Sequence, residues 1–158
     1  MKGPRLIAHI DGGARGNPGP AGYGVYVEEE GRGPVAEIYG YLGVATNNVA
    51  EYAALLALLE YAASRRPDLL QVMSDSELLI RQMQGRYRVK DARLRLLHGA
   101  AKHLVSAIGG VDLVHVPREE NREADALANR AMDLRKSSGP LPEALRGLQP
   151  PPGPRRLI

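Results

Sequence analysis

Four acids in this chain of 158 residues occupy positions unusual for plain surface carboxylates: Asp11, Glu51, Asp75 and Asp125. Asp11 ends the apolar run Leu6-Ile7-Ala8-His9-Ile10 and opens the glycine- and proline-rich stretch Gly12 to Gly19. Glu51 follows Thr46-Asn47-Asn48, Asp75 ends the run Leu69 to Ser74, and Asp125 follows Pro117-Arg118-Glu119-Glu120-Asn121. Only tertiary folding can join residues so far apart. Once joined they would repel one another unless divalent cations lay among them, which is the arrangement of metal-assisted phosphoryl chemistry. Each acid alone has a second reading. Asp11 fits a turn residue accepting the N–H groups of Gly12 and Gly13. Glu51 fits a capping box with Asn48 as N-cap, Asp75 an N-cap, and Asp125 a complement to a helix dipole. Capping explains each singly and explains the set of four poorly.

The elements that must hold these acids follow from periodicity and breakers. Leu6 to Ile10, Gly22 to Val27 and Val35 to Leu42 read as three strands of an antiparallel meander. Asn48 to Ala63 reads as a largely buried helix, Leu69 to Ser74 as a strand and Ser76 to Gln84 as a helix. Ala92 to Ala107 reads as a helix with Leu94, Leu97, Ala101, Leu104 and Val105 on one face. Val111 to Val116 reads as a last strand and Asn121 to Leu134 as a last helix. The order β-β-β-α-β-α-α-β-α implies an α/β fold, a mixed sheet flanked by helices, in one domain over 1–135. From Lys136 the composition turns to Ser, Gly and Pro, so 136–158 is expected as an extended Pro-rich tail, with Leu157 and Ile158 docked on the body.

Composition narrows the class. There are no cysteines, which excludes disulfides and thiolate metal sites. No run spans a bilayer and no signal peptide is evident, so a cytoplasmic protein without a membrane partner is expected, as a monomer. Net charge is only +3, but Arg81, Arg86, Arg88, Lys90, Arg93, Arg95 and Lys102 lie together against the single acid Asp91. That run fits a nucleic-acid backbone held near bound metals, and equally a solvated helix face.

Asp11-Gly12-Gly13-Ala14-Arg15-Gly16-Asn17-Pro18-Gly19-Pro20-Ala21-Gly22-Tyr23-Gly24 closely resembles the opening motif of type 1 ribonuclease H. Thr46-Asn47-Asn48-Val49-Ala50-Glu51, Ser74-Asp75-Ser76 and Asn121-Arg122-Glu123-Ala124-Asp125-Ala126-Leu127-Ala128 resemble its second, third and fourth motifs, in family order. The resemblance covers about residues 5–134 and implies a ribonuclease H-like fold, a five-stranded mixed sheet with strands 1–3 antiparallel. It implies endonucleolytic hydrolysis of the RNA strand of an RNA–DNA hybrid, leaving 5′-phosphate and 3′-hydroxyl ends. Two Mg2+ ions about 4 Å apart, replaceable by Mn2+, would grip the scissile phosphate. Asp11 would bridge them, with Asp125 completing one ion's shell and Glu51 and Asp75 the other's.

Candidate substrate contacts carried by motif position are Gly13, Ala14, Arg15, Asn17, Thr46, Asn47, Asn48 and Ser76, with 2′-hydroxyls marking the RNA strand. The chain departs from many members in two places. The loop before Asp125 lacks their mobile His, and Arg118 is the residue expected to act on the phosphate there. The segment Gly85 to Asp91 is too short for a basic protrusion, and Arg86, Arg88 and Lys90 are expected to do part of its work. Both departures resemble a compact archaeal-like subgroup, for which double-stranded RNA is an additional expected substrate. His115 is read as a strand residue without a catalytic role, His9 as a strand residue, and His98 and His103 as helix-surface residues. Rival readings are a binding module on an inactive nuclease fold, or a transposase-like or junction-cleaving nuclease.

Overall fold

Strict alternation builds the first strand. In β1 (Arg5–Ala14) Leu6, Ala8 and Ile10 are fully buried, while Ile7 and His9 on the other face are only partly so. β2 (Gly19–Glu29) and β3 (Gly33–Ala45) complete an antiparallel meander. β4 (Leu69–Ser74) and β5 (Val111–His115) join parallel to β1, giving a sheet of order β3-β2-β1-β4-β5. The helices are α1 (Asn47–Arg65), α2 (Glu77–Met83), α3 (Ala92–Ile108) and α4 (Arg122–Leu134). The computed structural model describes residues 3–148. The expected ribonuclease H-like topology is the observed one.

The first strand runs further than its apolar pattern suggests. Gly12, Gly13 and Ala14 remain paired with Tyr23, Gly22 and Ala21, so the turn shrinks to residues 15–18, where the Asn17–Pro18 peptide is cis. Glycine was read as a loop signal, yet here it sits inside a ladder. The reason is helix approach. Gly12 faces the start of α1, where a Cβ would overlap the Ala50 carbonyl.

α1 carries the core. Leu55, Leu56, Leu58 and Leu59 are fully buried, each contributing about 1.5–3 kcal/mol of burial free energy. Ala53, Ala54 and Ala57 beside them let the helix lie close to the sheet. Its other side meets Leu94, Leu97 and Ala101 of α3, the face expected from periodicity. α4 covers the opposite face of the sheet over β2 with Ala124, Leu127, Ala128 and Ala131.

The segment after Arg135 corrects the expectation of an extended tail. Ser138 Oγ accepts the Tyr39 N–H at 3.0 Å and Ser137 Oγ accepts the Tyr41 N–H at 2.9 Å. Ser138 N–H donates to the Tyr39 carbonyl at 2.8 Å. β3 is the sheet's edge strand, so these serines satisfy groups a bare edge would expose. Residues Glu143–Leu148 then form a 3-10 turn that buries Leu145, with Leu141 and Leu148 packed against the same core. A composition of Ser, Gly and Pro hid three leucines at apolar spacing. The docking expected of Leu157 and Ile158 lies outside the described residues. His98 is also corrected: it is half-buried, with Nε2 3.1 Å from the Gln82 carbonyl and its ring edge-on to Tyr52.

Candidate active site

Strand and helix termini bring the acids together at one end of the sheet. Asp11 and Gly12 point to opposite faces of β1. A Cβ on Gly12 would overlap the Ala50 carbonyl and the Glu51 nitrogen, so glycine lets the start of α1 close on the strand. Glu51 thereby reaches the strand end, where the nearby Gly12 N–H and Ser76 hydroxyl favour its charged form. Asp75 follows the end of β4, adjacent to β1. Ligand oxygens of Asp11, Glu51 and Asp75 lie within 4.8 Å of one another. Asp125, in the first turn of α4, lines the same cleft, and its proximity adds to the rise of Asp11. The four acids therefore meet.

The capping box expected at α1 is replaced by another cap. Thr46 is the N-cap and its Oγ1 accepts the Val49 N–H at 3.2 Å, while Asn48 is exposed inside the first turn. Thr46 sits in extended conformation, two residues earlier than the pattern implied, which frees Glu51 from the helix end.

Electrostatics in the cluster are those of a site waiting for positive charge. Burial, followed by the charges of Glu51 and Asp75 and the nearby Asp125, pushes Asp11 up to about 9. Burial and Asp75 push Glu51 up to about 8, against the pull of Gly12 and Ser76. Burial raises Asp75, while the Arg118 guanidinium pulls it down. Oε1 of Glu51 is buried without a hydrogen-bond partner among the described residues. Buried hard oxygen donors with an unpaired lone pair fit a divalent cation such as Mg2+, whose binding would replace the held protons.

Raised carboxyl values mean that the folded state binds more protons than the unfolded chain from about pH 5 up to about 9. Stability in chelator should therefore fall as pH rises through that window. Saturating Mg2+ should lift Tm more at pH 9 than at pH 6. Thermal melts at both values check this; a Tm in chelator that climbs with pH contradicts it.

The other expected contacts divide into two groups. Gly13, Ala14, Arg15, Asn47 and Arg118 line the cleft with the acids, as does the exposed His115. Asn47 Oδ1 accepts the Ala14 N–H at 2.7 Å and Asn17 Oδ1 accepts the Asn47 N–H at 3.0 Å, a chain that locks the first hairpin to α1. The Arg15 guanidinium is turned to α4, 2.6 Å from Asp133 and 3.3 Å from Asn129. Ser76 caps α2 by accepting the Leu79 N–H. Arg86, Arg88 and Lys90 stand apart, exposed between α2 and α3; Arg95 braces that segment by donating to the Val89 and Lys90 carbonyls. Sequence reasoning missed Asn129, which lines the cleft and donates to the Asp125 carbonyl at 3.0 Å. Its position four residues after Asp125 on one helix face was the available signal.

A family model described as "Reverse transcriptase-like" matches residues 9–131. Ribonuclease HI of Halobacterium salinarum is 42% identical over 132 residues, covering 84% of this chain and 66% of the relative. The crystal structure of ribonuclease H1 from that archaeon superposes with TM-score 0.78 at 43% identity, covering 82% of this chain and 98% of the other. This chain belongs to the type 1 ribonuclease H family. Two further family members agree. The N-terminal ribonuclease H domain of a Mycobacterium tuberculosis protein matches at TM-score 0.78 and 43% identity, over 82% of this chain and 99% of the other. LC11-RNase H1, solved in complex with an RNA/DNA hybrid, matches at TM-score 0.78 and 41% identity, over 83% and 99%. The chain spans about two thirds of the length of the Halobacterium ribonuclease H and 37% of the curated Mycobacterium tuberculosis bifunctional protein. Among the described residues of this ribonuclease H family member, no helix is long and apolar enough to cross a membrane.

Proposed function

We propose that this chain hydrolyses the RNA strand of RNA–DNA hybrids with Mg2+ as cofactor and Mn2+ as a substitute. The observation that carries the reading is the convergence of Asp11, Glu51 and Asp75 within 4.8 Å, with Asp125 lining the same cleft. Retaining these acids together, partly buried and mutually repelling, has no structural benefit, which disfavours an inactive binding module. The four acids would hold the cations, which when bound neutralise phosphate charge and make water a better nucleophile. Water adds across the P–O3′ bond: its oxygen stays on phosphorus as the 5′-phosphate, and a proton ends on the 3′ oxygen.

The chain's own groups orient the substrate. The Gly13 and Ala14 backbone and Asn47 line the cleft floor. The side-chain Nδ2 groups of Asn17 and Asn47 make no hydrogen bond among the described residues and suit 2′-hydroxyls or phosphate oxygens. Arg118 is exposed beside Asp75 and supplies the cleft's positive charge towards the phosphate. Arg118→Ala should lower kcat/KM on a hybrid about 10- to 100-fold, the worth of a charge-assisted hydrogen bond. Steady-state kinetics check this, and an unchanged value leaves Arg118 a solvated loop residue. Arg86, Arg88 and Lys90 would attract the backbone at longer range.

Double-stranded RNA is a slower second substrate in this reading, because recognition through 2′-hydroxyls tolerates a second RNA strand. A gel assay on hybrid, RNA duplex and DNA duplex tests the substrate class. The expected order is hybrid, then RNA duplex, with DNA duplex intact; DNA duplex cut as fast as hybrid overturns it.

A further inference from the structure

One buried polar side chain has no part in the chemistry so far. Asn121 is fully buried at the N-terminus of α4. An Asn in that position ordinarily caps the helix with its side chain, and this one makes no such bond. Its Nδ2 instead donates to the Ile10 carbonyl at 2.8 Å, across 111 residues of sequence. Its Oδ1 is enclosed without a partner among the described residues, a cost that selection on helix capping alone does not explain. The main chain is engaged as well. Asn121 N–H donates to the Arg118 carbonyl at 3.0 Å, and its carbonyl accepts the Asp125 N–H at 3.1 Å.

Those bonds end at the residue before Asp11, at Asp125 itself and at Arg118. Asp11 ties the acid cluster to β1; Arg118 lies on the connection from β5 into α4 and Asp125 in the first turn of α4. Asn121 is the side-chain bond joining the two. We propose that Asn121 is a positioning residue that sets the separation of Asp11 and Asp125 and seats Arg118 at the cleft. It touches no substrate; it acts through the carboxylates. Without Nδ2 the start of α4 is released from β1, and a shift of about 1 Å in a reacting constellation costs on the order of 100-fold in rate.

The rate arm of the test rests on the hydrolase reading, and a cation-binding arm does not. Asn121→Ala, Asn121→Ser and the core control Leu97→Ala, in α3 away from the cleft, are compared in the full chain. Asn121→Ala should lower kcat on hybrid about 100-fold with KM within about twofold. Its Mn2+ dissociation constant, read by electron paramagnetic resonance without substrate, should rise about tenfold or more. Leu97→Ala should lower Tm and leave kcat and Mn2+ affinity unchanged. Wild-type Mn2+ affinity in both Asn121 variants overturns the proposal, and so does an equal loss in Leu97→Ala. Should Asn121→Ala not fold, Asn121→Ser, too short to reach Ile10, is judged by the same criteria. A wild type that binds Mn2+ but cuts no hybrid removes the hydrolase reading and leaves the Asn121 proposal to be decided by the Mn2+ constants.

Discussion

Asp11→Asn is expected to cost about 1000-fold or more in hybrid cleavage, because even groups behind the ligands of a metal site are worth 10- to 100-fold. The same variant should be more stable than wild type when metal is absent. Asp11 is held up to about 9 by burial and by Glu51 and Asp75, so near pH 8 the cluster works against folding. An amide needs no proton taken up on folding at that pH, so the substitution should raise stability by about 1–2 kcal/mol, or roughly 3–6 °C in Tm. Mg2+ should raise Tm in wild type and barely in the variant. Melts in chelator and in Mg2+, with initial rates, read all three effects. A less stable, fully active Asp11→Asn would contradict both halves.

Gly12→Ala is expected to damage fold and site at once. Its Cβ would meet backbone atoms of Ala50 and Glu51, which no rotamer change can move aside. α1 must retreat from β1, taking Glu51 away from Asp11 and from the Gly12 N–H that favours its charged form. A cost of about 3 kcal/mol is expected, a Tm loss of roughly 6–12 °C. Misplacing Glu51 by about 1 Å adds on the order of 100-fold in rate. Gly13→Ala is the control for stability, since its Cβ would meet only Asn47 Oδ1 at 3.8 Å. Equal Tm losses in the two variants would sink the argument from close approach.

The sequence carried the element order, the α3 core face and the four acids, because periodicity and motif spacing are local properties. It carried less wherever an interaction crosses the chain. Thr46 displaced Asn48 as cap because the turn before α1 is shaped by Asn17 and Asn47, and the partner sits 30 residues away. Glycines 12 and 13 looked like loop and proved to be strand; for Gly12 the reason is the start of α1 lying against it. Residues 137–148 looked like tail because serine and proline were weighed by composition, while their partners, Tyr39, Tyr41 and Glu60, lie far upstream. Asn121 was visible only as a motif letter; its bond to Ile10 needed the fold.

The most direct test of the central claim is the initial rate at which the RNA strand of an end-labelled hybrid is cut as Mg2+ is titrated against chelator. Metal-dependent cleavage by wild type, yielding 5′-phosphate and 3′-hydroxyl ends and lost in Asp11→Asn, is the predicted result. RNA cleavage that persists in chelator, or survives in Asp11→Asn, would contradict a reaction run by these four carboxylates.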